Sequence, residues 1–312
     1  MKIIKSKKES FHQATAITIG TFDGVHIGHQ KIISRLINTA KKQGLDAVIL
    51  TFFPHPRMVL QKDTSIKLIN TLNEKAEILE NLGLDILYVK EFTQEFSRLT
   101  AEDFVSKILV NQLNVKKIII GYDHHFGRNR TANIDDLIAF GEQYNFEVEE
   151  ITAQEINDVS VSSTKIRQAL LQGDIKTANS YLGYHFMLNG SVIKGKGLGH
   201  TIGFPTANIQ IDETYKLIPK HGVYVVSSII NNKTYYGMMN IGVNPTVSND
   251  IKQSIEIHFF NFDNSIYGNA LTIKLLHRLR DEIKFESVDA LKEQLKNDEI
   301  SSKLYLENNE PK

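Results

Sequence analysis

At 312 residues the chain exceeds what one ordinary hydrophobic core supports, so two domains are expected. Its 36 Lys and Arg are balanced by 36 Asp and Glu, which removes the one-signed field that a nucleic-acid or anionic-membrane partner would use. Hydrophobic residues at 41% and charged residues at 23% are those of a globular protein, and the absence of cysteine excludes disulfides, thiolate catalysis and Cys-based metal sites.

The start, Met1 to Lys8, lacks the apolar stretch of a signal peptide, and no later run could span a membrane, so a cytoplasmic chain with no membrane partner is expected. Ile17 to Gln30 reads as a buried strand, a tight glycine turn and a helix start. Asp46–Phe53 reads as a strand, and Thr71-Leu72-Asn73-Glu74 as a capping box opening a helix that stops near Gly83. A strand at Asp85–Val89, a helix at Thr100–Leu113, a strand at Lys116–Gly121, a helix at Ile134–Tyr144 and a strand at Phe146–Ile151 follow. Such alternation predicts a parallel sheet with helices on both faces, which binds ligands beyond the carboxyl ends of its strands.

From about Phe186 short strands succeed one another: Phe186–Ile193, Val223–Ile230, Lys233–Ile241, Ser254–Phe262 and Leu271–Leu276, with a hairpin turn at Asn231-Asn232. An amphipathic helix from Val288 to Leu306 closes the chain. This half is an antiparallel barrel or sandwich, joined to the first near Gly183-Tyr184-His185.

His26 and His29 share one face of the first helical turn, where backbone N–H groups have no intrahelical partners and the helix dipole is positive. With Gly24 and Gly28 opening the backbone, this is an anion site suited to a nucleotide triphosphate. The segment resembles the His-x-Gly-His signature of the nucleotidyltransferase superfamily. Ser162-Ser163-Thr164-Lys165-Ile166-Arg167 resembles the Ser-Ser-Thr-x-x-Arg element that accompanies that signature. Pro54-His55-Pro56-Arg57 is a proline-stiffened loop, and Gly121 to Arg128 crowds glycines, aromatics and charges at a strand end. A metal role for His124 and His125 is disfavoured, because adjacent strand residues point apart.

Together these blocks are similar to the amino-terminal module of bifunctional bacterial riboflavin kinase/FMN adenylyltransferase (FAD synthetase). The resemblance implies a Rossmann-like nucleotidyltransferase domain over residues 1–183 and an antiparallel β-barrel kinase domain with a C-terminal helix over 184–312. It implies ATP contacts at Gly20, Phe22, Asp23, His26, Gly28 and His29, a closing clamp at Ser163, Thr164 and Arg167, and a flavin-nucleotide side at His55, Arg57, Asp123 and Phe126. If FMN is the acceptor its phosphate is already ionised, so transfer needs alignment and charge cancellation rather than a strong base.

In the second half Gly190 to Gly197 nearly spells a Walker A loop, but it lacks the final Ser/Thr and the helix that loop requires. Gly195 to Asn208 is glycine-rich enough to wrap amides around phosphates, and Thr206 and Asn208 offer neutral oxygens suited to Mg²⁺ carried by ATP. The string resembles the flap and Pro-Thr-Ala-Asn motif of riboflavin kinases, which implies ATP contacts at Gly195, Lys196, Gly197, Thr206 and Asn208, Mg²⁺ on the last two, and riboflavin beside Glu256 and Arg280. The family's catalytic glutamate falls on Glu256, and an alcohol nucleophile does need a base. His200 stands where many relatives carry Arg, and Thr131-Ala132-Asn133 lacks a glycine common among them. Rival readings are a His-x-Gly-His transferase for another phosphate, which leaves the Pro-Thr-Ala-Asn barrel unexplained, and a flavin-binding regulator on a decayed enzyme, which the intact motifs oppose. The expected partners are small molecules: riboflavin, FMN, FAD and ATP.

Overall fold

Strand β2 (Thr15–Ile19) is buried at every position, as the covered centre of a parallel sheet must be. The structure, a computed structural model, describes residues 1–5, 11–61, 65–121, 125–128, 131–152, 161–195, 197–245 and 251–309. It forms two compact units, Met1–Ser163 and Thr164–Lys312.

In the first unit β1 (Lys2–Ile4), β2, β3 (Asp46–Phe53), β4 (Ile86–Glu91), β5 (Val115–Gly121) and β6 (Glu147–Ile151) make a six-stranded sheet in the order β1-β4-β3-β2-β5-β6. All its pairings are parallel. The chain winds outward from β2 to β3 and β4, then crosses back to β5, so β2 lies at the topological switch point, where such sheets bind ligands. Helix α1 (Ile27–Gln43) leaves from that point and ends on Gly44 in the left-handed conformation. Short α2 (Pro56–Leu60) follows β3, and α3 (Leu72–Asn81) opens with the expected capping box between Thr71 and Glu74. Helix α5 (Ile134–Tyr144) starts on a second capping box made by Asn133, which gives the glycine-free Thr131-Ala132-Asn133 a local purpose.

One helix differs from expectation. Residues 100–113 form a single α-turn, α4 (Ala101–Asp103), and then a π-helix over Phe104–Val110, with Asn111 N–H donating to Ser106 O and Leu113 N–H to Ile108 O. The wider winding buries Phe104, Val105, Ile108 and Leu109 together against the sheet.

In the second unit α6 (Ser163–Gln172, its first residue in the other unit) and α7 (Ile175–Leu182) precede the barrel strands β7 (Met187–Ile193), β8 (Ala207–Gln210), β9 (Gly222–Ile230), β10 (Lys233–Pro245), β11 (Ile251–Phe259) and β12 (Ala270–Arg280). They close as a barrel in the order β10-β11-β8-β7-β12-β9, every neighbour antiparallel. Closure removes the free edges that a sandwich would keep. Asn231 and Asn232 take φ of 50° and 61°, the left-handed pair of a two-residue hairpin between Ile230 and Lys233. Along β11, Ile255, Ile257 and Phe259 fill the interior, while Glu256 and His258 stand half-buried on the outer face. Short α8 (Leu198–Thr201) lies in the glycine-rich segment, and the C-terminal α9 (Val288–Asn309) packs on β10 and β12.

Candidate active sites

The turn between β2 and α1 is strained and heavily braced. Phe22, Gly24 and Val25 take φ of 44°, 90° and 37°, and for the branched Val25 that conformation is costly. Asp23 turns its buried carboxylate away from solvent to accept from the N–H groups of Ile69 (2.9 Å) and Asn70 (3.4 Å). Ser163 Oγ donates to the Asp23 carbonyl at 2.8 Å, and Lys75 Nζ donates to the Thr21 carbonyl at 2.6 Å. A Cβ on Gly20 would press on the Phe22 ring.

His26 is the N-cap of α1, its Nδ1 accepting from the His29 N–H at 3.4 Å. In the neutral ring the proton therefore sits on Nε2, leaving that nitrogen as a donor. The two imidazoles stack at 3.6 Å and 16°, and Phe22 meets His29 edge-on at 5.1 Å. Burial drives His26 down to about 4, against the opposing pull of Asp23. Burial, then the neighbouring His26 and Lys75, hold His29 well below its ordinary value. At neutral pH the pair presents uncharged donors, and the shielded Nδ1 of His29 has no hydrogen-bond partner. Gly28 is buried in the first turn of α1.

At the carboxyl ends of β3 and β4 lies a chain of aromatic rings. Phe52, Phe92 and Phe96 meet at centroid distances of 5.6–5.8 Å, Phe96 leads to Phe104 at 6.1 Å, and Phe104 to Phe126 at 6.1 Å. Phe126 is the buried floor of this cluster, tied to Ala132 by a two-bond bridge, whereas Phe52, Phe92 and Phe96 are half-buried. His55 caps α2 by accepting from the Arg57 N–H at 3.2 Å, and Arg57 is exposed. Asp123 and Lys196 lie outside the described residues. The Ser-Ser-Thr-x-x-Arg element runs from one unit into the other, Ser163 in the first and Thr164 and Arg167 in the second; Thr164 is exposed and Arg167 half-buried.

On the barrel's outer face the register sets Asn240 opposite Glu256 and Glu256 opposite Asn208, a polar row across β10, β11 and β8. Thr206 Oγ1 donates to Glu256 Oε2 at 3.3 Å. The glycine-rich segment closes on this row: a Cβ on Gly195 would fall inside the Asn208 side chain, and Gly197 takes a φ of 71° that favours glycine. His258 Nδ1 donates to Pro205 O at 2.8 Å, fixing the start of the Pro-Thr-Ala-Asn segment. Arg280 is clasped by Asp298 of α9, Nε to Oδ1 at 2.9 Å and Nη2 to Oδ2 at 2.6 Å.

Two family models divide the chain as the fold does: FAD synthetase over residues 8–165 and riboflavin kinase over residues 182–306. Over 291 residues the chain is 40% identical to the bifunctional riboflavin kinase/FMN adenylyltransferase of Listeria monocytogenes, covering 93% of this chain and 92% of the relative. The chain belongs to the bifunctional riboflavin kinase/FMN adenylyltransferase family. The Bacillus subtilis member is 37% identical over 301 residues, covering 94% of this chain and 93% of its own. A solved structure from Streptococcus pneumoniae, called a macrolide-efflux protein, superposes with a TM-score of 0.87 at 32% identity, covering 97% of this chain and 99% of its own. No helix among the described residues is long and apolar enough to cross a membrane. As a member of this family the enzyme phosphorylates riboflavin to FMN with ATP and adenylylates FMN to FAD with release of pyrophosphate.

Sequence reasoning missed three groups. Lys75 was legible as a lysine on the apolar side of α3, at helical spacing from Ile78 and Leu79. Asp298 stands likewise between Leu295 and Ser302 on the packed side of α9. The aromatic cluster had no local signal, because its rings come from four separate segments, one holding Phe52, one Phe92 and Phe96, one Phe104 and one Phe126.

Proposed function

We propose that the two activities use separate triphosphate sites, and that only the barrel site deprotonates its acceptor. The observation that carries this reading is the Thr206–Glu256 hydrogen bond, which sets one carboxylate beside the flap, whereas at the His26/His29 turn the histidines are uncharged donors and the Asp23 carboxylate accepts from backbone amides.

In the kinase, Glu256 takes the proton of the riboflavin 5′-hydroxyl as that oxygen attacks the γ-phosphorus of ATP. The amides of Gly195 and Gly197 follow the phosphates, and Arg280, held by Asp298, stands on the riboflavin side. The hydroxyl of Thr206 and the amide oxygen of Asn208 fit Mg²⁺: they are hard, neutral oxygens. No cluster of three His, Cys, Asp or Glu able to hold a metal occurs among the described residues, which suits an ion delivered with the nucleotide. Bound Mg²⁺ would offset the phosphate charge.

In the adenylyltransferase the FMN phosphate attacks the α-phosphorus of ATP, and pyrophosphate leaves in line. His26 and His29 donate to the phosphates together with the free amides at the start of α1, near Gly28. Gly20, Phe22 and Asp23 shape that turn, which Ser163 braces through the Asp23 carbonyl. His55 and Arg57 face the flavin nucleotide, and the half-buried faces of Phe52, Phe92 and Phe96, floored by Phe126, take the isoalloxazine ring. Residues 1–183 and 184–312 are the two functional domains, and the enzyme works in the cytoplasm.

Glu256→Gln and His29→Ala test the assignment, with flavins separated by chromatography after incubation with riboflavin and Mg-ATP. The first should block FMN formation yet convert added FMN to FAD; the second should stop at FMN. Equal loss of both steps in either variant would refute it.

A further inference from the structure

The lysine on the buried side of α3 stands among apolar positions: its neighbours at helical spacing, Ile78 and Leu79, are buried, and Lys75 itself is 5% exposed. Its ammonium donates to the Thr21 carbonyl at 2.6 Å, an acceptor already served by Thr51 Oγ1 at 3.3 Å. The titratable groups around it are Asp23, whose carboxylate serves backbone amides, and the His29 side of the stacked pair. His29 Nδ1 is shielded from solvent and unpartnered, a polar atom that points to a ligand in the same pocket.

We infer that Lys75 is a positioning residue of the adenylyl-transfer site, bracing the strained Gly20–His29 turn through Thr21 and holding a buried positive charge behind His29 for the transition-state triphosphate. The inference rests on the phosphate-site reading of His26 and His29. A buried ammonium costs no reorganisation as charge develops on the departing pyrophosphate, and in a shielded site it acts more strongly than an exposed lysine would. Burial first, then His26, keep His29 from taking a proton, and the Lys75 charge adds to both, so His29 remains a neutral donor.

The test compares Lys75→Met, which keeps the aliphatic stem, with Lys75→Arg, which keeps the charge, in the full-length enzyme. Three readouts are taken: steady-state FAD formation from FMN, riboflavin phosphorylation, and the His29 imidazole titration followed by ¹H–¹⁵N NMR. In Lys75→Met the kcat for FAD formation should fall about 100-fold with KM for ATP changed less than about threefold. Riboflavin phosphorylation should be unchanged, and His29 should titrate at higher pH than in the parent. Lys75→Arg should restore kcat to within about tenfold of the parent. FAD formation within about fivefold of the parent in Lys75→Met overturns the inference. So does equal loss in both variants with an unmoved His29 titration, the signature of a brace alone. If Lys75→Met also loses the kinase, Lys75→Arg decides, because loss of FAD formation there overturns the inference. His29→Ala run in parallel separates the two claims: full FAD formation in that variant sinks the phosphate-site reading itself, whatever Lys75 does.

Discussion

Lys75→Met should make the first unit more stable even as it disables it. Burial holds the Lys75 ammonium at about 8 against an ordinary value of 10.5, so keeping it charged in the folded state at pH 7 costs about 3 kcal/mol. Methionine removes that cost and loses the hydrogen bond to the Thr21 carbonyl, about 1 kcal/mol, while Thr51 Oγ1 still serves that oxygen. The net expectation is a gain of about 2 kcal/mol, or about 6 °C in the melting of a unit this size. The pH dependence has a definite sign. Between pH 8 and 10.5 the folded parent has lost a proton that the unfolded chain still holds, so the parent's stability rises with pH through that window. The variant has no such group, so its advantage should vanish near about pH 9.5 and become a deficit of about 1 kcal/mol, the lost hydrogen bond, above about pH 10.5. Hydrogen exchange of the β2 and β3 amides reports this unit alone. A variant less stable than the parent at pH 7, or an advantage that does not change up to pH 10.5, would refute the argument that Lys75 carries a buried charge.

Protonation of His26 is opposed by burial, which holds it at about 4 against 6.5, so the first unit should lose up to about 3 kcal/mol as pH falls from 6.5 to 4. His26→Asn, which keeps an N-cap, should flatten part of that slope in denaturant titrations. Gly195→Ala drives a Cβ into the Asn208 side chain and should lower kinase kcat about tenfold or more, with FAD formation from added FMN unchanged. Asp298→Ala strips Arg280 of its partner and should cost the barrel about 3 kcal/mol in urea unfolding while raising KM for riboflavin more than it lowers kcat.

The parts of the fold that could be read from the chain are those in which one segment contains its own explanation. The Thr71–Glu74 capping box, the Asn231-Asn232 hairpin and the polar–apolar alternation through Glu256 each fold as written, because donor, acceptor and period lie within a few residues. The same holds for His26 and His29, whose spacing sets them on one helical turn. What escaped depends on distant partners. The edge strand Lys2–Ile4 exists only because β4 accepts it, and the Phe104–Val110 π-helix is decided by which side chains the sheet must cover. That the Asp23 carboxylate accepts from Ile69 and Asn70, 46 and 47 residues onward, was likewise not legible from the motif around it.

The contrast between the two sites follows from what each must activate. An alcohol has to surrender a proton, and the proposed base Glu256 stands half-buried on the barrel's outer face, within reach of solvent and held by Thr206. A phosphate monoester arrives already charged, so the parallel-sheet site needs no base and gains from having none: a free carboxylate would repel both substrates. The proposed phosphate site is consistent with an Asp23 carboxylate that accepts from the Ile69 and Asn70 amides, with neutral histidines and with the Lys75 ammonium beside the turn. Burial that strips the proton from the histidines and weakens the lysine's hold on its own costs stability. The strained backbone at Phe22 and Val25 adds to that cost. A turn serving only to join a strand to a helix would carry none of these features, and their gathering around residues 22–29, with Lys75 brought in from the third helix, supports the proposal of phosphate chemistry there.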